Sequence, residues 1–338
     1  MRMSKVLVVV MLIIGVLAIH HLSFAKERQA EVTVKVDLKA PSESKDVRLW
    51  IPYPVSDENQ MISDVKIEGN YTKSGVFKEK IYGNNALYAE WTKPGPERKL
   101  IFSFKVKRKE ISEKDFPQKE ARLDKNKFNK YLRGTNLAPI HGTVKEIAEN
   151  ITKDKKTILS KARALYDYIV DNWERDPNVQ GCGPGDVLTL LDKKKGKCAD
   201  IHSVYVAFAK SVGIPAREIF GIRIPKGKEG NMTKAQHCWA EFYFSGYGWV
   251  PVDPSDVLKY ILEKKIKKDD AKEQREYYFG AVDESRIAYG IGRDVMLNPK
   301  QKSGELNFFM YPHAEVDGKA MDCMATEDFR YTISYKEL

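Results

Sequence analysis

Between Ala30 and Arg108 polar and apolar residues alternate with a period of two. Glu31-Val32-Thr33-Val34-Lys35-Val36-Asp37-Leu38 is the clearest case, and it predicts a strand with one face buried. Val47 to Pro52, Ala86 to Trp91 and Leu100 to Lys107 repeat the pattern, separated by turn sequences such as Gly83-Asn84-Asn85 and Lys93-Pro94-Gly95-Pro96. Short strands joined by such turns predict a β-sandwich. No titratable cluster stands out there, so packing or substrate placement is its expected role. The period then changes. Glu110 to Lys130 is a charged, helix-prone linker, and Thr143 to Asn150 and Lys156 to Trp173 read as helices. In the latter, Ile158, Ala162, Leu165, Tyr168 and Ile169 recur at helical spacing. The glycine-rich loop Gly181 to Asp186 follows. Gly196-Lys197-Cys198-Ala199-Asp200 then opens an apolar helix through Val212, stopped by Gly213-Ile214-Pro215. Arg217 to Ile224 and Cys238 to Phe244 predict strands, and Gly246-Tyr247-Gly248 turns the second into Trp249 to Asp253. Strands followed by helices and a second antiparallel set predict an α+β fold.

The chain opens differently. Arg2 and Lys5 precede the unbroken apolar run Val6 to Ile19, and Ser23-Phe24-Ala25 follows. The run is shorter than the ~20 residues of a spanning helix and fits an export signal cleaved after Ala25. The alternative is an uncleaved N-terminal membrane anchor. Either way the expected location is outside the cytoplasm, most simply the periplasm, with no integral membrane segment after signal removal. The expected domains are a signal peptide over 1–25, a β-sandwich over 26–112 and a catalytic core with its C-terminal extension over 113–338.

Composition narrows the classes. Over 338 residues, 42% hydrophobic and 31% charged, the chain has the core formers a disordered protein lacks. Its net charge of +10 falls to +8 without the leader. The lysine runs (Lys193 to Lys195, Lys264 to Lys268) are short and poor in aromatics, so nucleic-acid binding is not expected. Four cysteines are too few for a disulfide scaffold.

Those cysteines differ in placement. Cys198 stands where a loop becomes a helix, and partial positive charge with unpaired N–H groups there stabilises a thiolate and an oxyanion. His237 lies 39 residues on, at the start of a strand, and an imidazole can take the thiol proton and return it to a leaving amine. Asp253 follows after a further 16 residues, at a hairpin length that brings its carboxylate back to the ring. Asp253-Pro254 is equally a turn sequence. A zinc site on two cysteines and a histidine competes, but no Cys-x-x-Cys pair is present, and His237 and Cys238, being adjacent on a strand, point to opposite faces. In an oxidising compartment a Cys182–Cys323 disulfide is conceivable, with Cys238 expected buried.

Gly196 to Asp200, Ala207 to Arg217, His237-Cys238-Trp239-Ala240-Glu241-Phe242 and Gly248-Trp249-Val250-Pro251-Val252-Asp253-Pro254 together resemble the bacterial transglutaminase-like superfamily, over about residues 160 to 256. The resemblance implies a papain-like core, with the cysteine helix packed on an antiparallel sheet, and maps nucleophile, base and orienting acid onto Cys198, His237 and Asp253. Tyr277 to Asp294, with Gly280, Asp283, Arg286 and Gly292, also looks like family sequence and is expected to complete the core. The backbone N–H of Cys198 is one oxyanion donor on physical grounds, and Gln180 and Trp173 are candidates for a second. Asp200 and His202 lie on the cysteine's own helix and stand outside the triad, His202 either lining the site or packing.

The expected enzyme attacks an amide carbonyl with the Cys198 thiolate and passes through a thioester. Water as acceptor gives peptide or isopeptide hydrolysis, which is favoured, and an amine acceptor gives cross-linking. Cell-wall peptides are one substrate class. A binding protein or envelope adaptor that keeps the fold is the non-catalytic alternative. No metal and no organic cofactor is required.

Overall fold

The structure is a computed structural model and describes residues 26–338. The expected signal peptide lies outside the described residues. The strand Glu27–Leu38 runs through the centre of one five-stranded sheet. Its alternation is realised: Ala30, Val32, Val34, Val36 and Leu38 are buried. It pairs antiparallel with Lys99–Lys109 on one side, Val34 opposite Phe102, and with Phe329–Glu337 on the other, Val34 opposite Ile333. Gln60–Gly69 and the short Glu229–Asn231 form the two edges. A second five-stranded sheet is built around Val47–Pro52, flanked by Asn85–Trp91 and His313–Val316, with Lys73–Lys78 and Lys319–Ala320 outermost. The two apolar faces meet in one core, where Val32, Val34, Phe102 and Phe104 pack with Leu49, Leu87 and Trp91. Each such side chain contributes roughly 1.5–3 kcal/mol by its burial.

The second unit is organised by the helix Cys198–Ser211, which is buried along almost its whole length. A helix apolar all round must be enclosed on every side. Thr143–Thr152 and Ile158–Asn172 cover it on one side. A four-stranded antiparallel sheet covers it on the other, in the order Gly248–Val252, Gln236–Phe244, Ala216–Arg223, Arg286–Ile291. Ala240, Phe242 and Phe244 face the helix core, whereas Trp239 packs on the opposite face with Ile219, Ile111 and Val282. Tyr277 to Asp294 therefore supplies an edge strand of this sheet.

Three features depart from the expectations. The C-terminal extension, assigned to the core, is divided. Its strands His313–Val316 and Phe329–Glu337 return to the sandwich, because the strands Val47–Pro52 and Glu27–Leu38 otherwise expose unpaired edges. The strands Gln60–Gly69 and Lys73–Lys78 carry little alternation, since both lie at or near sheet edges with most side chains half-buried or exposed. Glu110 to Lys130 is mainly irregular until a 3-10 turn at Lys125–Phe128 runs into the four-residue helix Asn129–Leu132. Ile111–Ser112 pairs with Ala281–Val282, and Phe116 anchors the chain against Phe244, Tyr247 and Phe279. Pro117 adds a helix-breaking residue, and these fixed contacts override the propensity of the charged residues. Among the described residues no helix is long and apolar enough to cross a membrane.

The two units share residues: Ile222, Ile224 and Ile287 of the core sheet lie in the sandwich cluster. A chain ending at Asp328 is therefore expected to lose the cooperative thermal transition of the whole protein. A melt superimposable on that of the intact chain would contradict this joint packing.

Candidate active site

The helix Cys198–Ser211 begins in a fixed backbone frame. Asp200, in its first turn, accepts from the Lys197 amide at 3.0 Å and from the Gly185 amide at 2.8 Å. One buried carboxylate thus ties the glycine loop to the helix start. Gly183, at φ +87°, leaves the room this needs, since a Cβ there would stand 1.9 Å from Asp200 Oδ2. Asp200 is accordingly structural and lies off the thiol's face. The Ala199 amide donates to the Cys182 carbonyl at 3.0 Å, which places Cys182 beside the nucleophile position.

Cys198 is 1% exposed and sits in a cluster with Cys182, Cys238 and Phe220, covered by Phe308, Met310 and Tyr311 of the C-terminal extension. The Cys182 and Cys238 side chains beside Cys198, and with them His237, hold its thiol well below the usual range against the opposing effect of burial. Both neighbours shift the other way: Cys198 and burial raise Cys182, and burial together with Cys198 raises Cys238. All four cysteines are free thiols. Cys182 faces the site, its Sγ 3.3 Å from the Gln236 carbonyl, and Cys323 packs against the sandwich cluster, so the conceivable Cys182–Cys323 pair is not formed.

His237 opens the central strand Gln236–Phe244, and its Nε2 lies 2.8 Å from Asp253 Oδ2. A carboxylate only accepts, so Nε2 carries the proton and Nδ1 is the nitrogen left for the thiol. Burial and Arg223 lower the affinity of His237 for a proton, but the Asp256 and Asp253 carboxylates outweigh them and raise its pKa. Asp253 ends the hairpin strand and caps the helix Pro254–Lys264, accepting from the Asp256 amide at 2.8 Å. The turn chemistry of Asp253-Pro254 and its place beside His237 are therefore the same feature. Burial alone would raise the Asp253 carboxyl, but Arg286, His202 and His237 hold it well below the ordinary range.

His202 is the residue the sequence left undecided. It lies one helical turn from Cys198, fully buried, with Nε2 3.0 Å from Asp253 Oδ1 and Nδ1 3.3 Å from Cys238 Sγ. By the same donor rule Nε2 carries the proton toward Asp253, and Nδ1 faces Cys238. Arg286, noted in the sequence only as part of a family-like stretch, donates to both Asp253 and Asp256. Asp256 carries no sequence signal beyond that of an acidic residue in a helix first turn. Of the two further oxyanion candidates, Gln180 is exposed, and Trp173 is buried with its Nε1 unpartnered among the described residues.

His237, Asp253 and Asp256 bring possible ligand atoms within 4.8 Å of one another. Arg286 and Arg223 already engage the two carboxylates, so guanidinium charge stands where a cation would have to sit. The donor set fits an ion-pair network better than a metal.

The sequence profile of the transglutaminase-like superfamily matches residues 145–254. An uncharacterised protein of Haemophilus influenzae is 35% identical over 91% of this chain and 91% of its own length. The chain belongs to the transglutaminase-like superfamily. A Bacillus subtilis protein, YebA, is 29% identical over 33% of this chain and 17% of its own. A Cytophaga hutchinsonii protein, solved under the provisional name of cysteine protease, superposes with a TM-score of 0.58 at 13% identity, over 93% of this chain and 92% of that one. That likeness shows the fold: a transglutaminase-like core of helices and antiparallel sheet behind a strand-rich N-terminal region.

A lowered Cys198 and a raised His237 both shift the balance toward a thiolate–imidazolium pair. Alkylation of Cys198 by iodoacetamide is expected to fall only a few-fold from pH 8 to pH 6, whereas an ordinary thiol of pKa ~8.5 loses about tenfold per unit. A tenfold loss per unit at Cys198 would contradict the pair.

Proposed function

We propose that the protein is an exported thiol enzyme that cleaves peptide or isopeptide amides through Cys198, His237 and Asp253. The observation carrying this reading is the 2.8 Å bond from His237 Nε2 to Asp253 Oδ2, which turns the other ring nitrogen to a thiol already biased toward thiolate. The reaction follows from the arrangement. Cys198 Sγ⁻ attacks the amide carbonyl, and the new oxyanion is met by the Cys198 amide at the helix start. As the tetrahedral intermediate collapses, the His237 imidazolium gives its proton to the departing amine, leaving a thioester and a neutral ring. The ring next takes a proton from water, and the hydroxide so formed attacks the thioester. Collapse releases the carboxylic acid and restores the thiolate–imidazolium pair. Asp253 keeps the ring in one tautomer and stabilises its charged form without itself taking the proton.

His202 and Arg286 are positioning residues in this scheme: both hold Asp253, and His202 also borders Cys238 beside the thiol. The substrate is a peptide or protein, with cell-wall peptides one class that an exported enzyme meets. Hydrolysis is favoured over cross-linking because an aqueous compartment supplies water as the acceptor in excess. The export assignment rests on the apolar leader and its Ala25 site.

A peptide-library digest run beside an amine-incorporation assay on the same protein tests the reading. Cleavage with little incorporation is expected, abolished in Cys198→Ala without a change in melting temperature. Incorporation that outpaces cleavage would replace hydrolysis by transamidation, and turnover that survives Cys198→Ala would overturn the thiol mechanism.

A further inference from the structure

The inward face of the strand Lys99–Lys109 reads Leu100, Phe102, Phe104, Val106 and then Arg108. Four apolar residues are followed at the same spacing by a cation. Arg108 is 1% exposed, and no side chain or carbonyl among the described residues accepts from it; Nε and Nη2 are buried without a partner. The neighbouring carboxylates are engaged elsewhere. Asp57 accepts from the Asn59 and Gln60 amides, and Glu241 accepts from Arg217 and Trp239. The Trp239 ring lies 6.0 Å from the guanidinium carbon, a contact worth roughly 0.5–2 kcal/mol. An unpaired buried ion costs several kcal/mol, so the ring offsets only part of it.

Arg108 lines a cleft of about 630 Å³ between the sandwich loops and the outer face of the core sheet, opposite the nucleophile helix. The cleft is graded in charge. Arg108 is deep, Asp57 and Glu58 are exposed at the mouth, and the half-buried Glu113 lines the wall. Arg217 is neutralised by Glu241 and stacks 4.0 Å from the Trp249 ring centroid. One deep cation against three carboxylates repels a multiply charged anion such as phosphate. It suits a molecule that enters carboxylate first and leaves an ammonium near the mouth. Trp239 and Trp249 offer apolar surface for the part between. The volume lies within the range of small-molecule sites.

We propose that this cleft binds a small zwitterion, an amino acid or short peptide, with its carboxylate on Arg108 and its amine facing Asp57, Glu58 and Glu113. The site is separate from Cys198 and does not depend on the thiol chemistry. It is tested by calorimetric titration with L-alanyl-L-alanine, L-alanyl-L-alaninamide and inorganic phosphate, on the parent protein and on Cys198→Ala. Both proteins are expected to bind the dipeptide alike, and removal of its carboxylate in the amide is expected to weaken binding by about tenfold or more. Arg108→Met is expected to show the same loss while melting no lower than the parent, because an apolar side chain replaces an unpaired charge. Equal binding of dipeptide and amide, no binding of the dipeptide, phosphate binding in its place, or full affinity in a folded Arg108→Met would each overturn the proposal. The comparison of dipeptide with amide on the parent protein decides the matter even where the variant fails to fold.

Discussion

A fully buried carboxylate is tolerable only when its charge is matched, and Asp253 shows what that demands. Its two oxygens accept from His237, His202, Arg286 and the Asp256 amide. These four partners come from four segments: the central strand, the cysteine helix, the edge strand and the helix that Asp253 itself caps. The ion network and the packing therefore specify the same arrangement. Removing one partner from such a buried set costs about 3–5 kcal/mol, because the remaining charge is left uncompensated. That penalty holds the hairpin in register against the helix, and with it the ring of His237 against the thiol.

The thiol side has its own anchor in Asp200, which joins the glycine loop to the helix start and thereby brings Cys182 beside Cys198. Two neighbouring cysteines and an imidazole then surround the buried thiol and lower its titration. Covering residues come from the C-terminal extension, whose later strands belong to the sandwich. The N-terminal unit is thus bound to the active-site wall through the chain that returns to it.

Much of this was readable from residue patterns. Period-two alternation located the strands Glu27–Leu38, Val47–Pro52, Asn85–Trp91 and Lys99–Lys109 because each buries one face. The helix Cys198–Ser211 was readable because its apolar run ends in a glycine and a proline. Edge strands at Gln60–Gly69 and Lys73–Lys78 left no such trace, since neither has a fully buried face. Cys198, His237 and Asp253 stood out through their spacing, and the structure brings them together. His202 could be placed one turn from the cysteine, but its contact with Asp253 depends on how the hairpin docks, which one-dimensional spacing does not encode. Arg108 illustrates the same limit: its position on the inward face was readable, whereas its want of a partner is a property of the assembled cleft.

The central claim is that Asp253, by holding His237, works alongside Cys182 and Cys238 to keep the Cys198 thiol lowered. Asp253→Asn keeps the size of the side chain and removes its charge, so the rate of Cys198 alkylation across pH 5 to 9 in the folded variant is the most direct measurement. The account predicts a rate at pH 6 at least about tenfold below that of the parent and a profile rising toward that of an ordinary thiol. A profile in folded Asp253→Asn that superimposes on the parent's would contradict it.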